Sequence, residues 1–208
     1  MIVTGGGISI RVAREDDAPA LSAIYAPYVR KTAISFECCA PDAAEFARRI
    51  GGTLRSYPYL VAVEDGLVLG YAYAGRFSAR EAYDWSAETS IYVRRDMRGN
   101  GVGRLLYTAL ARVLRAQGVV NLYACVACPP HGASDEYLTD ASIAFHEHMG
   151  FLVVGRFERC ACKFGRWYDM AWMHRSIAPC VPDQPAVRAF PQIADEVPRL
   201  LRDVATEQ

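Results

Sequence analysis

The amino-acid sequence predicts an α/β fold in which helices flank a central mixed, mostly antiparallel sheet. Three observations lead to it. Apolar residues switch between strand and helix spacing in the order β-α-α-β-β-β-α-β-α-β-β. Asp65-Gly66 separates two adjacent strand-like runs and marks a hairpin. A glycine-rich turn later carries a strand directly into a long helix. With 208 residues, the chain can bury a real core in one domain and still carry an appendage.

Each element has its own signal. Residues 8–13 alternate as a strand. Asp16 and Asp17 stand where a helix cap belongs, and Leu21, Ile24, Tyr25 and Tyr28 follow at helical spacing. Pro41-Asp42 opens a second helix, with Glu45 in a variant of the capping box, and Gly51-Gly52 should end it. Strand-like runs over residues 59–63 and 67–74 flank the Asp-Gly turn. A third run, 88–93, follows the loop around Tyr83-Asp84-Trp85. The next helix presents Val102, Leu105, Leu106, Ala109, Leu110 and Val113 on one face, and Gly118 closes it. A strand over 121–126 leads to an irregular segment, 128–138. A short helix over 142–149 ends at Gly150, and runs over 152–157 and 167–172 complete the fold. The domain is placed at residues 1–177. Beyond it, residues 178–208 form an extension broken by Pro179, Pro182, Pro185, Pro191 and Pro198. Ile193, Val197, Leu200, Leu201 and Val204 can line one face of a short helix there. The extension is expected to pack loosely or to lie at a subunit interface.

Composition excludes several functions. Acidic and basic residues balance at 23 each, so nothing points to nucleic acid. No apolar run approaches the ~20 residues that span a bilayer, and the first seven residues lack the features of a signal peptide. The expected location is the cytoplasm, with no membrane partner. Cysteines stand at 38, 39, 125, 128, 160, 162 and 180. Their odd number argues against a disulfide framework, and a C-x-x-C followed by a C-x-C departs from zinc spacing. Reduced thiols and no metal are expected.

The strongest local signal is Arg98-Gly99-Asn100-Gly101-Val102-Gly103-Arg104, between a strand and a helix. Glycines let backbone approach a ligand closely, and free N–H groups at a helix start suit phosphate. The loop has neither the Gly-Lys-Ser/Thr ending of a Walker loop nor the Rossmann glycine pattern. Taken alone, it serves equally well as an ordinary turn.

Together with other segments it resembles a known family. Arg98-x-x-Gly101-x-Gly103 is similar to the acetyl-CoA pyrophosphate loop of the GNAT N-acetyltransferase superfamily. Phe145-His146-Glu147-His148-Met149-Gly150-Phe151 resembles that superfamily's later helix and its Gly-Phe exit. Gly70-Tyr-Ala-Tyr-Ala-Gly75, Ala82-Tyr83-Asp84-Trp85-Ser86-Ala87-Glu88, Ile91-Tyr92-Val93 and Lys163-Phe-Gly-Arg-Trp167-Tyr-Asp169 resemble the phosphinothricin and methionine sulfoximine acetyltransferases. Two departures stand out. Thr139 occupies a position where the family typically has Asn, and the segment 128–138 is longer.

The resemblance implies an acetyl-CoA-dependent transferase that acetylates the amine of a small amino-acid-like molecule and works as a homodimer. It implies Glu88 as general base. His146 stands where the superfamily often has a Tyr that serves the leaving thiolate. Backbone of Ile91, Tyr92 and Val93 would hold the oxyanion and the pantetheine arm. Residues Arg98, Gly99, Asn100, Gly101, Val102, Gly103 and Arg104 would hold phosphate, with Thr139 and Ser142 nearby. Phe36, Tyr73 and Tyr83 would wall the substrate, and Arg80 would anchor its carboxylate, because Ser78 replaces the family's basic residue. Without the resemblance, Glu88 reads as a solvated strand-edge carboxylate and Arg80 as a solvated loop arginine. Two alternatives remain: a protein or peptide N-terminal acetyltransferase, and a non-catalytic acetyl-CoA-binding regulatory module. The aromatic loop favours a small pocket over a peptide groove, and an intact Glu88 argues against the module.

Overall fold

A computed structural model of the chain describes residues 7–130 and 133–202. Among them, seven strands form one sheet. These are β1 (Ser9–Val12), β2 (Tyr59–Glu64), β3 (Leu67–Arg76), β4 (Ser86–Val93), β5 (Asn121–Cys128), β6 (Leu152–Lys163) and β7 (Arg166–Ser176). The spatial order is β1-β2-β3-β4-β5-β7-β6. Every neighbouring pair is antiparallel except β4 and β5. The helices are α1 (Ala18–Lys31), α2 (Ala43–Leu54), α3 (Val102–Gln117), α4 (Ala141–His148) and α5 (Val197–Arg202).

Strand alternation divides the core in two. Leu60 and Ala62 of β2 face α3, whereas Tyr59, Val61 and Val63 face α1 and α2. A strand buried on both faces loses the apolar–polar alternation of an edge. The α1/α2 side gathers Leu21, Ile24, Tyr25, Tyr28, Phe46, Ile50 and Tyr71. The α3 side gathers Leu105, Leu106, Leu110, Val113, Leu122 and Met173.

Several expectations change. Asp17 precedes α1 but does not cap it. Its carboxylate takes two bonds from Arg11, both at 2.7 Å, and one from the backbone N–H of Arg14. Asp42 does cap α2, accepting from Glu45 N at 2.8 Å. Gly51-Gly52 does not end that helix, which runs on to Leu54. The reason is tertiary: Leu54 packs against both core clusters, and this burial outweighs the roughly 1 kcal/mol that a helical glycine costs. A Cβ at Gly51 would lie 2.6 Å from Oε1 of the exposed Glu15, whose side chain can move aside. β3, β4, β5, β6 and β7 all extend past their predicted runs.

The described part of the extension is not loose. Phe190, Ile193, Val197 and Leu201 are buried in the α3-side core, with Leu200 partly buried beside them. Arg188 Nη2 donates to Ala116 O, Arg188 N donates to Gln117 O, and Gln117 Nε2 donates to Arg188 O. Pro198 lies in the first turn of α5, where a missing N–H is harmless. Val204 lies outside the described residues.

Among the described residues, all seven cysteines are free thiols. Among the described residues, no cluster of three or more His, Cys, Asp or Glu is placed to hold a metal, and no helix is long and apolar enough to cross a membrane.

Candidate active site

The parallel pair β4–β5 is short. Ser86 pairs with Asn121, Ala87 with Leu122 and Glu88 with Tyr123, and there the register stops. Thr89 Oγ1 adds one more link, donating to Tyr123 O at 3.1 Å. Beyond it, residues 90–93 pair with β3 alone, while β5 continues along β7. The two strands therefore open like a V, and among the described residues the edge of β4 at Ile91, Tyr92 and Val93 has no strand on the β5 side. β3 and β4 stay close because Gly70 has no side chain; a Cβ there would meet Tyr92 O at 2.9 Å.

At the open end of β4 the chain makes a 3₁₀ turn, Arg95–Met97, then enters the glycine loop. Gly99 and Gly101 both take left-handed backbone, with φ of 81° and 78°. Gly101 is the residue before α3, and no side chain caps the helix. The first N–H groups of α3, at Val102, Gly103 and Arg104, thus remain available at the positive end of the helix. Gly103 serves packing: a Cβ would meet the Phe145 ring of α4 at 3.1 Å. Gly99, Asn100, Gly101 and Arg104 are exposed. Arg98 is also exposed, and its guanidinium lies 4.9 Å from the centre of the Tyr28 ring, with Nε donating to Tyr28 OH at 3.3 Å. Tyr28 OH in turn donates to Val93 O. One tyrosine of α1 therefore braces both the end of β4 and the loop arginine.

Along β4, Ala87 and Thr89 face α3, so Glu88, Ser90 and Tyr92 face the α1/α2 side. Glu88 is half-buried and, among the described residues, its carboxylate accepts no hydrogen bond and pairs with no cation. Burial pushes its pKa above the usual carboxylate value. Aromatic groups stand on both sides of it. Tyr73, opposite Ser90, stacks on Tyr59 at 4.9 Å. Phe77 stacks on Tyr123 at 4.2 Å and meets Tyr83 edge-on at 5.7 Å. Arg76 is engaged by Asp84 at 2.9 Å, whereas Arg80 is exposed and its side chain has no described partner. Phe36 packs instead with Ala33, Ala127, Leu138 and Tyr168. Asp135 holds that corner, accepting from Tyr137 N, Leu138 N and Tyr168 OH.

His146 is buried in α4, and both ring nitrogens are engaged. Nδ1 lies 2.7 Å from Ser142 O, and Nε2 lies 2.9 Å from Tyr107 OH. Tyr107 OH lies 3.1 Å from Thr89 Oγ1. The chain of contacts thus runs Ser142 O, His146, Tyr107, Thr89, Tyr123 O, and it reaches the apex of the V. Thr139 is exposed at the start of α4, its Oγ1 3.4 Å from Ala141 N. The sequence placed Tyr28 only on the apolar face of a helix and did not single out Tyr107, since neither belongs to a motif.

Over residues 10–172 the sequence matches the family described as "Acetyltransferase (GNAT) domain". The chain belongs to this acetyltransferase family. A phosphinothricin N-acetyltransferase of Alcaligenes faecalis is 40% identical over 174 residues, covering 81% of this chain and 82% of that one. An L-methionine sulfoximine/L-methionine sulfone acetyltransferase of Pseudomonas paraeruginosa is 36% identical, covering 82% of this chain and 95% of that one. Among solved structures, a GNAT-superfamily phosphinothricin acetyltransferase from Sinorhizobium meliloti in complex with AcCoA superposes with a TM-score of 0.77 at 32% identity, over 89% of this chain and 96% of that one. Membership sets the reaction class: the protein is an acetyl-CoA-dependent N-acetyltransferase.

Proposed function

We propose that this acetyltransferase acetylates the α-amino group of a small amino-acid-like molecule, with Glu88 as general base. The observation that carries the reading is Glu88 itself: an unpartnered, half-buried carboxylate at the last paired position before β4 and β5 separate. The named activities of the relatives support the substrate class. The donor's fit is supported by the backbone. The free edge of β4 at Ile91, Tyr92 and Val93 can pair with an amide-bearing arm, and residues 98–104 present N–H groups and arginines to phosphate. Thr139, just before α4, and Ser142, in its first turn, complete the proposed cofactor site.

In this reading Glu88 takes a proton from the acceptor's ammonium group. The freed amine attacks the thioester carbonyl carbon, the C–S bond breaks, and the thiolate takes a proton. A base whose pKa is raised toward neutrality removes that proton more effectively. The chain through Thr89, Tyr107 and His146 supplies the second proton, with Thr89 as the member at the apex of the V. Arg80 holds the acceptor's carboxylate, because Arg76 is already engaged by Asp84. The working unit is a homodimer, in which the β6–β7 hairpin, exposing Leu152, Val154, Phe157 and Trp167, meets its counterpart.

Steady-state turnover of free amino acids, their carboxamides and short peptides tests this directly. Glu88→Gln is expected to lower kcat by ~10² to 10⁴ with little change in the acetyl-CoA KM. The acid limb of the wild-type kcat/KM profile should lie above the ordinary carboxylate range. A Gln variant with wild-type turnover at every pH excludes Glu88 as base.

A further inference from the structure

We propose that a tyrosine-walled cavity between α2 and the sheet is the side-chain subsite of this acetyltransferase, and that it selects free amino acids with an uncharged aromatic side chain. The proposal rests on the reading that the acceptor amine is acetylated beside Glu88. The cavity has a volume of about 290 Å³ and is walled by the rings of Tyr25, Phe46, Tyr59, Tyr71, Tyr73 and Tyr92. Protein interiors leave few voids larger than a water molecule. A space of this size, at the low end of the roughly 300–1,000 Å³ typical of ligand sites, suits one side chain and not a peptide.

Position ties it to the reaction. Tyr92 lies on β4 in phase with Ser90 and Glu88, and Tyr73 pairs with Ser90 across β3. Burial raises the Tyr73 phenol; of the charges that act on it, Arg49 lowers it and Glu88 and Glu37 raise it. Glu88 and Ser90 are roughly 7 Å apart along the strand, about the reach of an aromatic side chain from its own amine. Arg80 lies in the loop that precedes β4, in the opposite direction. An acceptor with its amine at Glu88 can therefore send its carboxylate one way and its side chain the other.

Shape and charge select the class. Tyr59, Tyr71 and Tyr73 stand nearly parallel, at interplanar angles of 17° to 27°. Tyr25 meets Phe46 and Tyr92 edge-on, and its hydroxyl is fixed against Ser35 at 2.6 Å. Flat walls with edges between them suit another ring, in stacked or T-shaped contact. The one cation in the wall, Arg49, is already held by Glu37 at 2.9 Å and Glu45 at 2.7 Å. An acidic side chain would have to displace one of these carboxylates, with Glu88 close by. Burial raises the phenols of Tyr59, Tyr71 and Tyr92, so the walls stay neutral.

The test is kcat/KM at saturating acetyl-CoA for phenylalanine, tryptophan, methionine, alanine, glutamate and phosphinothricin. Phenylalanine and tryptophan should exceed alanine and both acidic acceptors by about tenfold or more. Gly52 forms part of the wall, and a Cβ there meets nothing within 4 Å. Gly52→Phe should therefore fold, narrow the mouth of the cavity, and lower the phenylalanine-to-alanine ratio by about tenfold. Thr53→Leu, from the same wall, should lower it in the same direction. A ratio near one in the wild type, or one that both variants leave unchanged, overturns the subsite while the amino-acid reading stands. Turnover of peptides but of no free amino acid overturns that reading, and the subsite with it.

Discussion

Hydrogens can be counted along the buried contacts from Ser142 to Tyr123. Both ends are carbonyl acceptors, so the four contacts need four hydrogens. Thr89 and Tyr107 bring one each, and a neutral imidazole brings one. One contact is then unmade unless His146 carries two. Burial opposes that, holding the His146 pKa below its ordinary value, with the Ser142 carbonyl pulling the other way. Stability from keeping His146 neutral is therefore complete above about 6.5, where the unfolded chain begins to take the proton, and is lost as pH falls from there through the lower folded-state pKa. Protonation needs only the Tyr107 hydrogen to swing from His146 to Thr89. Tyr107→Phe removes the hydroxyl that accepts from imidazolium. NMR titration should show the His146 pKa falling further, and kcat should fall by about tenfold or more with the acetyl-CoA KM little changed. An unmoved His146 titration would break the chain as drawn. His146 and Glu88 were legible because each stands inside a motif. Tyr107 was not, because its role comes from a neighbour 39 residues away.

Secondary elements were read where local chemistry decides them and misread where packing does. The hairpin at Asp65-Gly66 and the stop at Gly118 follow from left-handed backbone, with φ of 81° at Gly66 and 101° at Gly118. The end of α2 and the length of the later strands follow from burial and pairing that no short window contains. The glycines around the start of α3 show the difference within one motif. Gly101 has a left-handed φ and nothing near its missing Cβ, so Gly101→Val adds backbone strain of about 1–3 kcal/mol at the loop itself. Gly103 has ordinary helical backbone and a neighbour at 3.1 Å, so Gly103→Val pushes on Phe145 of α4 and costs about 1–3 kcal/mol by overpacking. Calorimetric titration with coenzyme A should show Gly101→Val weakening binding. Gly103→Val should act chiefly on kcat, through α4 and His146. Equal binding losses from the two variants would refute this division.

At the scale of the whole molecule, the sheet order follows from register that sequence spacing does not reveal. The apolar width of α3 was a partial clue to the tail, since Leu105, Tyr107, Ala109, Ala111 and Leu114 are buried around most of the helix. A helix buried that widely needs cover on both sides. The hairpin proposal for the dimer predicts twice the chain mass by light scattering, reduced to one by Trp167→Glu. The tail has a second consequence. Trp85 Nε1 donates to Pro185 O at 2.7 Å, tying the extension to the second residue after the Glu81–Tyr83 turn, and Arg80 immediately precedes that turn. The described part of the extension, residues 178–202, therefore covers the core and also steadies the loop that carries the proposed carboxylate anchor. Removing them should destabilise the fold by at least about 3 kcal/mol, because four buried apolar side chains are lost from the α3 side. Trp85→Phe separates the two roles, since it keeps a ring in place and deletes only the bond to Pro185. The expected outcome is a melting temperature close to wild type, a several-fold rise in KM for the amino acid, and an unchanged KM for acetyl-CoA. If both KM values rise together, the tail acts on the whole sheet and not on the substrate loop.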